Sequence, residues 1–196
     1  MLNIGDNLPV HALQNDPGQS PSLQRLCYTA YRCFGHCLAF CAVCGPDGIV
    51  YYFPGPVPGR RHDTTLAARF RINDKLRISQ LGLLIQCKQI TDKAFLRDTH
   101  TEPMFRGPGL TVLQDLANTY VAPLRTVLVE NVFAGILNLW GKLSKKRVMQ
   151  LKKRQVTKTI RVAVLLMNAR TCLYGSQTST YFNCPRPSLQ EYFHDP

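Results

Sequence analysis

Residues 45–53 read Gly-Pro-Asp-Gly-Ile-Val-Tyr-Tyr-Phe, and the eight residues from His36 to Val43 read His-Cys-Leu-Ala-Phe-Cys-Ala-Val. Gly45-Pro46-Asp47-Gly48 is a strong turn signal. The segment before it is apolar and partly alternating, and the one after it is rich in β-branched and aromatic residues. The pattern predicts a β-hairpin. Pro54-Gly55-Pro56-Val57-Pro58-Gly59 follows, too dense in proline and glycine for regular structure. A helix is expected to open at His62-Asp63 and run toward Phe70, with Asp63, Thr64 and Thr65 as acceptors at its start.

Working outward, the run Leu81 to Ile90 contains Leu83, Leu84 and Ile85 and predicts a strand that ends at Thr91-Asp92. The C-terminal half reads helical: Leu110 to Tyr120, Leu124 to Trp140, and Val156 to Leu173 with Ile160, Val164, Leu165 and Met167 as apolar positions. Pro123 is expected to separate the first two, since it lacks an amide donor and clashes with the preceding turn. Residues 1–24 carry the turn signals Pro9, Asn15-Asp16-Pro17-Gly18 and Ser20-Pro21 and read as an irregular segment. Residues 25–175 read as one domain and 176–196 as a tail. Strands followed by helices predict an α+β or mixed α/β class.

The chain has 196 residues, 45% of them hydrophobic, and a formal net charge of +12. A chain of this size can bury a core, and its apolar content excludes a disordered tail or activation segment. No apolar run approaches the length that spans a bilayer, and no secretory signal is visible at the N-terminus. The eight cysteines are then expected as reduced, partly buried thiols. The sharper alternative is a zinc-binding adaptor using His36, Cys41 and Cys44, since Cys41-x2-Cys44 has the spacing of half a zinc knuckle. No second Cys/His pair stands downstream at partner spacing.

Three carboxylates are candidates for chemistry. Asp63 opens a helix beside Arg60 and Arg61, cations that could hold a phosphate; an ordinary helix-start aspartate is the alternative. Asp92 lies where a strand ends, which is where α/β proteins commonly build sites; a turn aspartate is the alternative. Glu130 is the most informative. At 100° per residue, Val127, Phe133, Ala134 and Leu137 all fall within about 60° of it. A carboxylate inside an apolar arc is costly unless paired or bound to metal; an ion pair with an arginine, or a helix shifted enough to expose it, is the alternative. The stretch Lys142 to Arg154 has seven cations (Lys142, Lys145, Lys146, Arg147, Lys152, Lys153, Arg154) and no acid. Such a block attracts a polyanion, either nucleic acid or an acidic membrane face, and also reads as a nuclear localisation patch; an ordinary solvated face is the alternative.

Together these positions resemble a family. Gly-Pro-Asp-Gly-Ile-Val at 45–50 and Gly-Pro-Val-Pro-Gly-Arg-Arg-His-Asp at 55–63 are similar to the hairpin and "GRRHD" stretch of Harbinger-type DDE transposases and the nucleases derived from them. Thr-Asp-Lys-Ala-Phe at 91–95 with Phe-Arg-Gly at 105–107 resembles the family's "GDPAY … PFRG" segment. Val-Leu-Val-Glu-Asn-Val-Phe-Ala-Gly at 127–135 resembles its "VEWAFG" helix. Asn168, Cys172, Tyr174-Gly175 and the run from Pro185 to Tyr192 match its closing region. The resemblance implies an RNase H-like mixed β-sheet flanked by helices. It implies a metal-dependent endonuclease with Asp63, Asp92 and Glu130 as the metal site, and Asp92 and Glu130 as its catalytic pair.

The expected cofactor is Mg²⁺, or Mn²⁺, held by oxygen ligands. Two such ions about 3.5–4 Å apart can activate the attacking water and stabilise the leaving oxygen. The expected partner is DNA in the nucleus, held by Arg60, Arg61, Lys145, Lys146, Arg147, Lys152, Lys153 and Arg154. A separate protein could supply the helix-turn-helix domain that does not precede this core. The family's opening strand, ending in "IDGT", has no counterpart before Gln24. The first strand is therefore expected to be incomplete or missing, as in an N-terminally truncated chain. A catalytically dead relative that only binds DNA or protein is the corresponding alternative.

Overall fold

A computed structural model describes residues 2–11, 25–29, 35–79, 88–91, 101–125, 131–140, 149–150 and 155–194. The hairpin is as expected. Strand β3 (Gly35–Cys44) runs antiparallel to β4 (Val50–Tyr52) through the Asp47 turn. The turn is built by Asp47 itself, whose Oδ1 accepts from the Ile49 N–H at 3.1 Å and whose Oδ2 accepts from the Tyr51 hydroxyl at 2.5 Å. The proline-rich loop contains a two-residue strand, β5 (Val57–Pro58), that pairs with Leu38 and Ala39. A further short strand, β2 (Tyr28–Thr29), adds to the start of β3.

The first correction lies at the N-terminus. Where an irregular segment and a missing first strand were expected, Leu2–His11 forms a ten-residue strand, β1. It lies antiparallel to β3 from Leu2↔Cys44 to Pro9↔Cys37. Its even positions, Leu2, Ile4, Leu8 and Val10, alternate as a half-buried strand requires. Pro9 hides that period, because a proline argues against a strand unless its missing donor is tolerated. β6 (Gln89–Thr91) runs parallel to β1, with Leu2↔Ile90 and Asn3↔Thr91, and β7 (Thr101–Pro103) runs parallel to β6. A final pair, β8 (Met149–Gln150), runs parallel to the end of β1. The central order is β2-β3-β1-β6-β7, with β4 and β5 also on β3 and β8 also on β1.

Helices cover both faces. On one, α1 (Asp63–Arg69) and α2 (Ile72–Ser79) set Leu66 and Ile72 against Ala39, Cys41, Val43 and Val57. On the other, α4 (Asn131–Leu139) and α5 (Val156–Tyr174) set Phe133, Ile136, Ile160 and Val164 against Leu38, Phe40, Ala42 and Cys44. The alternation of β3 feeds both cores at once, so this is a mixed α/β layer structure. Between these helices in sequence, α3 (Val112–Arg125) keeps Pro123 inside its last turn. The expected break at Pro123 does not occur: the helix continues through it to Arg125 despite the hydrogen bond that its missing amide cannot donate. Leu165, expected in the core, is 43% exposed, while Met167 packs against it.

The tail is also structured. Ser176 caps α6 (Gln177–Tyr181) in a capping box with Ser179, and α7 (Leu189–His194) lies against α5. The Asn168 amide on α5 donates to the Tyr192 hydroxyl on α7 at 2.9 Å.

Candidate active site

Asp63 is the first residue of α1, preceded by His62 in extended conformation. The Thr65 and Leu66 amides donate to the His62 carbonyl at 2.9 and 3.1 Å, so the helix starts without a side-chain cap. Arg60 and Arg61 are exposed on the turn between β5 and α1. The Arg60 amide donates to the Leu26 carbonyl at 3.2 Å, which fixes this turn to the segment before β2. Asp92 directly follows the last residue of β6, and Glu130 directly precedes the first residue of α4. Both lie outside the described residues, as do Lys145, Lys146, Arg147, Lys152, Lys153 and Arg154.

The elements that lead to these positions are arranged around β1. Thr91, one residue before Asp92, is in parallel register with Asn3. Three residues further along β1, Asp6 occupies the register position opposite Phe40. Phe40 belongs to the core under α4 and α5. Asp6 falls in the apolar phase of β1, between Ile4 and Leu8, which is the same anomaly that singles out Glu130. Alternation was the signal that could have found it. β1 thus carries Asp6 beside the strand that leads into Asp92, and α4 packs over the face of the sheet that holds Phe40, whereas α1, with Asp63, packs on the opposite face. On α4, Phe133 and Leu137 are buried while Ala134 is exposed, so the apolar arc beside Glu130 is covered on one side only.

Polar chemistry is concentrated where β6 leaves the sheet. Gln89 and Thr91 are each 1% exposed, and among the described residues neither the Gln89 side-chain amide nor the Thr91 hydroxyl has a hydrogen-bond partner. Each such group costs about 1–3 kcal/mol. Unsatisfied groups of this kind in native proteins call for a reason such as a catalytic role.

The zinc-adaptor reading fails on geometry. Cys41 and Cys44 lie on a strand, and residues three apart on a strand point to opposite faces. Cys41 is accordingly in the core under α1 and α2 and Cys44 in the core under α4 and α5. His36 is elsewhere, edge-on to the Tyr28 ring. Burial pushes the Cys44 thiol up to about 12, with the neighbouring Asp47 carboxylate adding to the shift. A thiol so raised is a poor ligand, because metals bind the thiolate.

A family model described as DDE superfamily endonuclease matches residues 16–168. The chain belongs to that family. No curated protein and no solved structure matches it. Membership makes it a transposase-like nuclease of mixed α/β fold, with DNA the substrate that a nuclease of this family implies. DDE superfamily endonucleases generally use divalent metals. Among the described residues no three His, Cys, Asp or Glu side chains gather to hold an ion. The candidate donors of this endonuclease, Asp6, Asp63, Asp92 and Glu130, are all carboxylates. An all-oxygen set of that kind fits a hard cation such as Mg²⁺ or Mn²⁺ rather than a soft one. No described helix is long and apolar enough to cross a membrane.

Proposed function

We propose that this chain is a Harbinger-type, metal-dependent DNA endonuclease on an RNase H-like core. The observation that carries the reading is the path of the sheet. Strands β1, β3 and β4 form an antiparallel meander, and β6 and β7 then add in parallel on the other side of β1. That order puts β1 at the centre, beside the strand that leads into Asp92. Asp92 and Glu130 are the catalytic pair, and Asp6 on β1 is the third carboxylate that the sequence pattern lacked. Asp63 is a further metal-site candidate. It opens a helix on the other face, so its replacement should weaken the site less than the other three.

Bound divalent metal would supply charge neutralisation at the scissile phosphate and a more acidic attacking water. The chain's own residues hold and orient. In this reading the carboxylates come from distant parts of the chain, which only a packed scaffold can bring together. Arg60, Arg61, Lys145, Lys146, Arg147, Lys152, Lys153 and Arg154 grip the DNA backbone as sequence-independent phosphate contacts. The same basic block addresses the protein to the nucleus, and a partner protein supplies target recognition.

A second reading, a DNA- or protein-binding module without cleavage, is favoured by the family match beginning at residue 16, after β1. Supercoiled plasmid separates the two. Nicking in Mg²⁺ or Mn²⁺ by the native chain, absent in Asp92→Ala/Glu130→Ala, supports the nuclease. Equal nicking by both, or by neither, sinks it. Binding by the module would persist and would weaken with salt at a log–log slope of about −0.9 per phosphate contact.

A further inference from the structure

Between α4, α5 and α6 lies a cavity of about 770 Å³. Its size is in the range of small-ligand sites. Arg170 and Arg186 both line it, and none of its described lining residues is acidic. Arg170 lies over the Tyr174 ring at 5.9 Å from the centroid, and Arg186 Nη2 donates to the Leu173 carbonyl at 3.2 Å. Arg186 is exposed, and this bond ties one of its guanidinium nitrogens to the end of α5.

Glycine makes the room. At Gly175, φ is +80°, and a Cβ would stand 2.6 Å from Arg186 Nη1. Any side chain there would be strained and would displace the guanidinium. Gly135 opens the α4 wall in the same way, where a Cβ would meet the tip of Met167 at 2.6 Å. The remaining wall combines aromatic faces and an amide. Tyr174 and Tyr181 are 75% and 53% exposed, and Asn138 stands at the end of α4.

We propose that this cavity binds one unpaired nucleotide of the DNA strand, its phosphate on Arg170 and Arg186 and its base against the tyrosine rings. Two guanidiniums with no carboxylate among the described lining residues call for a phosphate. Exposed rings beside them favour a flat base over a phosphorylated peptide side chain or a lipid headgroup, since every base offers a face to stack. Asn138 can donate to and accept from a base edge. The site lies about 10 Å along α4 from Asn131, at 1.5 Å per residue, and so within one or two nucleotides of the end that Glu130 adjoins. The proposal rests on the DNA-directed reading above, and it names a positioning subsite that reading does not contain.

The test uses the full chain in EDTA, so that neither cleavage nor metal enters. Calorimetric titration with deoxythymidine monophosphate should show one site, with thymidine and inorganic phosphate each at least tenfold weaker. Arg170→Gln and Tyr174→Ala, both exposed positions, should each weaken the nucleotide at least fivefold with an unchanged unfolding midpoint. Lys152→Gln/Lys153→Gln should leave it unchanged while weakening duplex binding. The proposal is overturned by the absence of nucleotide binding at millimolar concentration, by native affinity in Arg170→Gln/Tyr174→Ala, or by a phosphoserine peptide binding more tightly than the nucleotide. Cleavage assays with Asp92→Ala/Glu130→Ala fail or succeed independently of all three.

Discussion

Asn168 holds Val50 by both of its backbone groups. Its Oδ1 accepts from the Val50 N–H at 3.0 Å and its Nδ2 donates to the Val50 carbonyl at 2.9 Å. A side chain on α5 therefore acts as the missing neighbour of a short strand, and it is 2% exposed while doing so. Helix and hairpin are locked together across a large sequence separation, and Tyr192 ties the C-terminal helix to the same amide.

Removing that amide leaves a buried donor and a buried acceptor unpaired. Asn168→Ala should lower unfolding stability by about 3 kcal/mol, and Asn168→Asp by a similar amount, because a carboxylate cannot donate to the Val50 carbonyl. Urea denaturation measures this. A loss below about 1 kcal/mol in both variants would show that the clamp does not hold the hairpin.

Cys44 predicts a pH dependence. Its thiol stands at 9.0 in the ordinary case and is pushed up to about 12 in the fold, burial being the larger cause and Asp47 the second. As pH rises, the unfolded chain releases this proton first. The stability this thiol contributes is therefore intact below about pH 9 and falls between 9 and 12, by about 1.4 kcal/mol per pH unit. Denaturation at pH 8, 9, 10 and 11 should give a shallower decline in Cys44→Ala than in the native chain. Parallel declines would contradict the assignment.

Thiol accessibility follows from the same packing. Cys37, Cys41 and Cys44 are all 0% exposed on β3, whereas Cys184 is half-buried in the loop before α7. Alkylation by iodoacetamide at pH 8, read by peptide mass spectrometry, should label Cys184 while those three remain protected until the chain is unfolded. Early labelling of the β3 cysteines would mean that the central strand is not packed as described.

The parts of the fold legible in the sequence are those with local signals. The Asp47 turn, the start of α1 and the full length of α5 were readable because turn residues and apolar spacing act within a few residues, although the acceptors expected at the start of α1 make no cap. The strand β1 was not, because Pro9 and Asp6 interrupt an alternating run that only pairing with β3 stabilises. Pro123 misled in the opposite direction, since the rest of the helix tolerates the one hydrogen bond that a proline removes. Glu130 was proposed from its apolar arc, of which Phe133 and Leu137 are buried. Asp6 obeys the same rule in a period of two, and the proposal of a role for it follows from the β1–β6 register, which pairs residues 88 apart (Leu2 with Ile90) and which no local pattern encodes. Arg170 and Arg186 looked like ordinary surface cations until the fold set them around one cavity.

The claim on which the nuclease reading turns is that carboxylates from β1, the end of β6 and the start of α4 hold one divalent-metal centre. Mn²⁺ titration followed by electron paramagnetic resonance measures it without DNA or turnover. The account predicts saturable Mn²⁺ binding by the native chain, weakened at least tenfold in each of Asp6→Asn, Asp92→Asn and Glu130→Gln, and less in Asp63→Asn. Native Mn²⁺ affinity in all three of the first variants, or no saturable binding by the native chain, would contradict it.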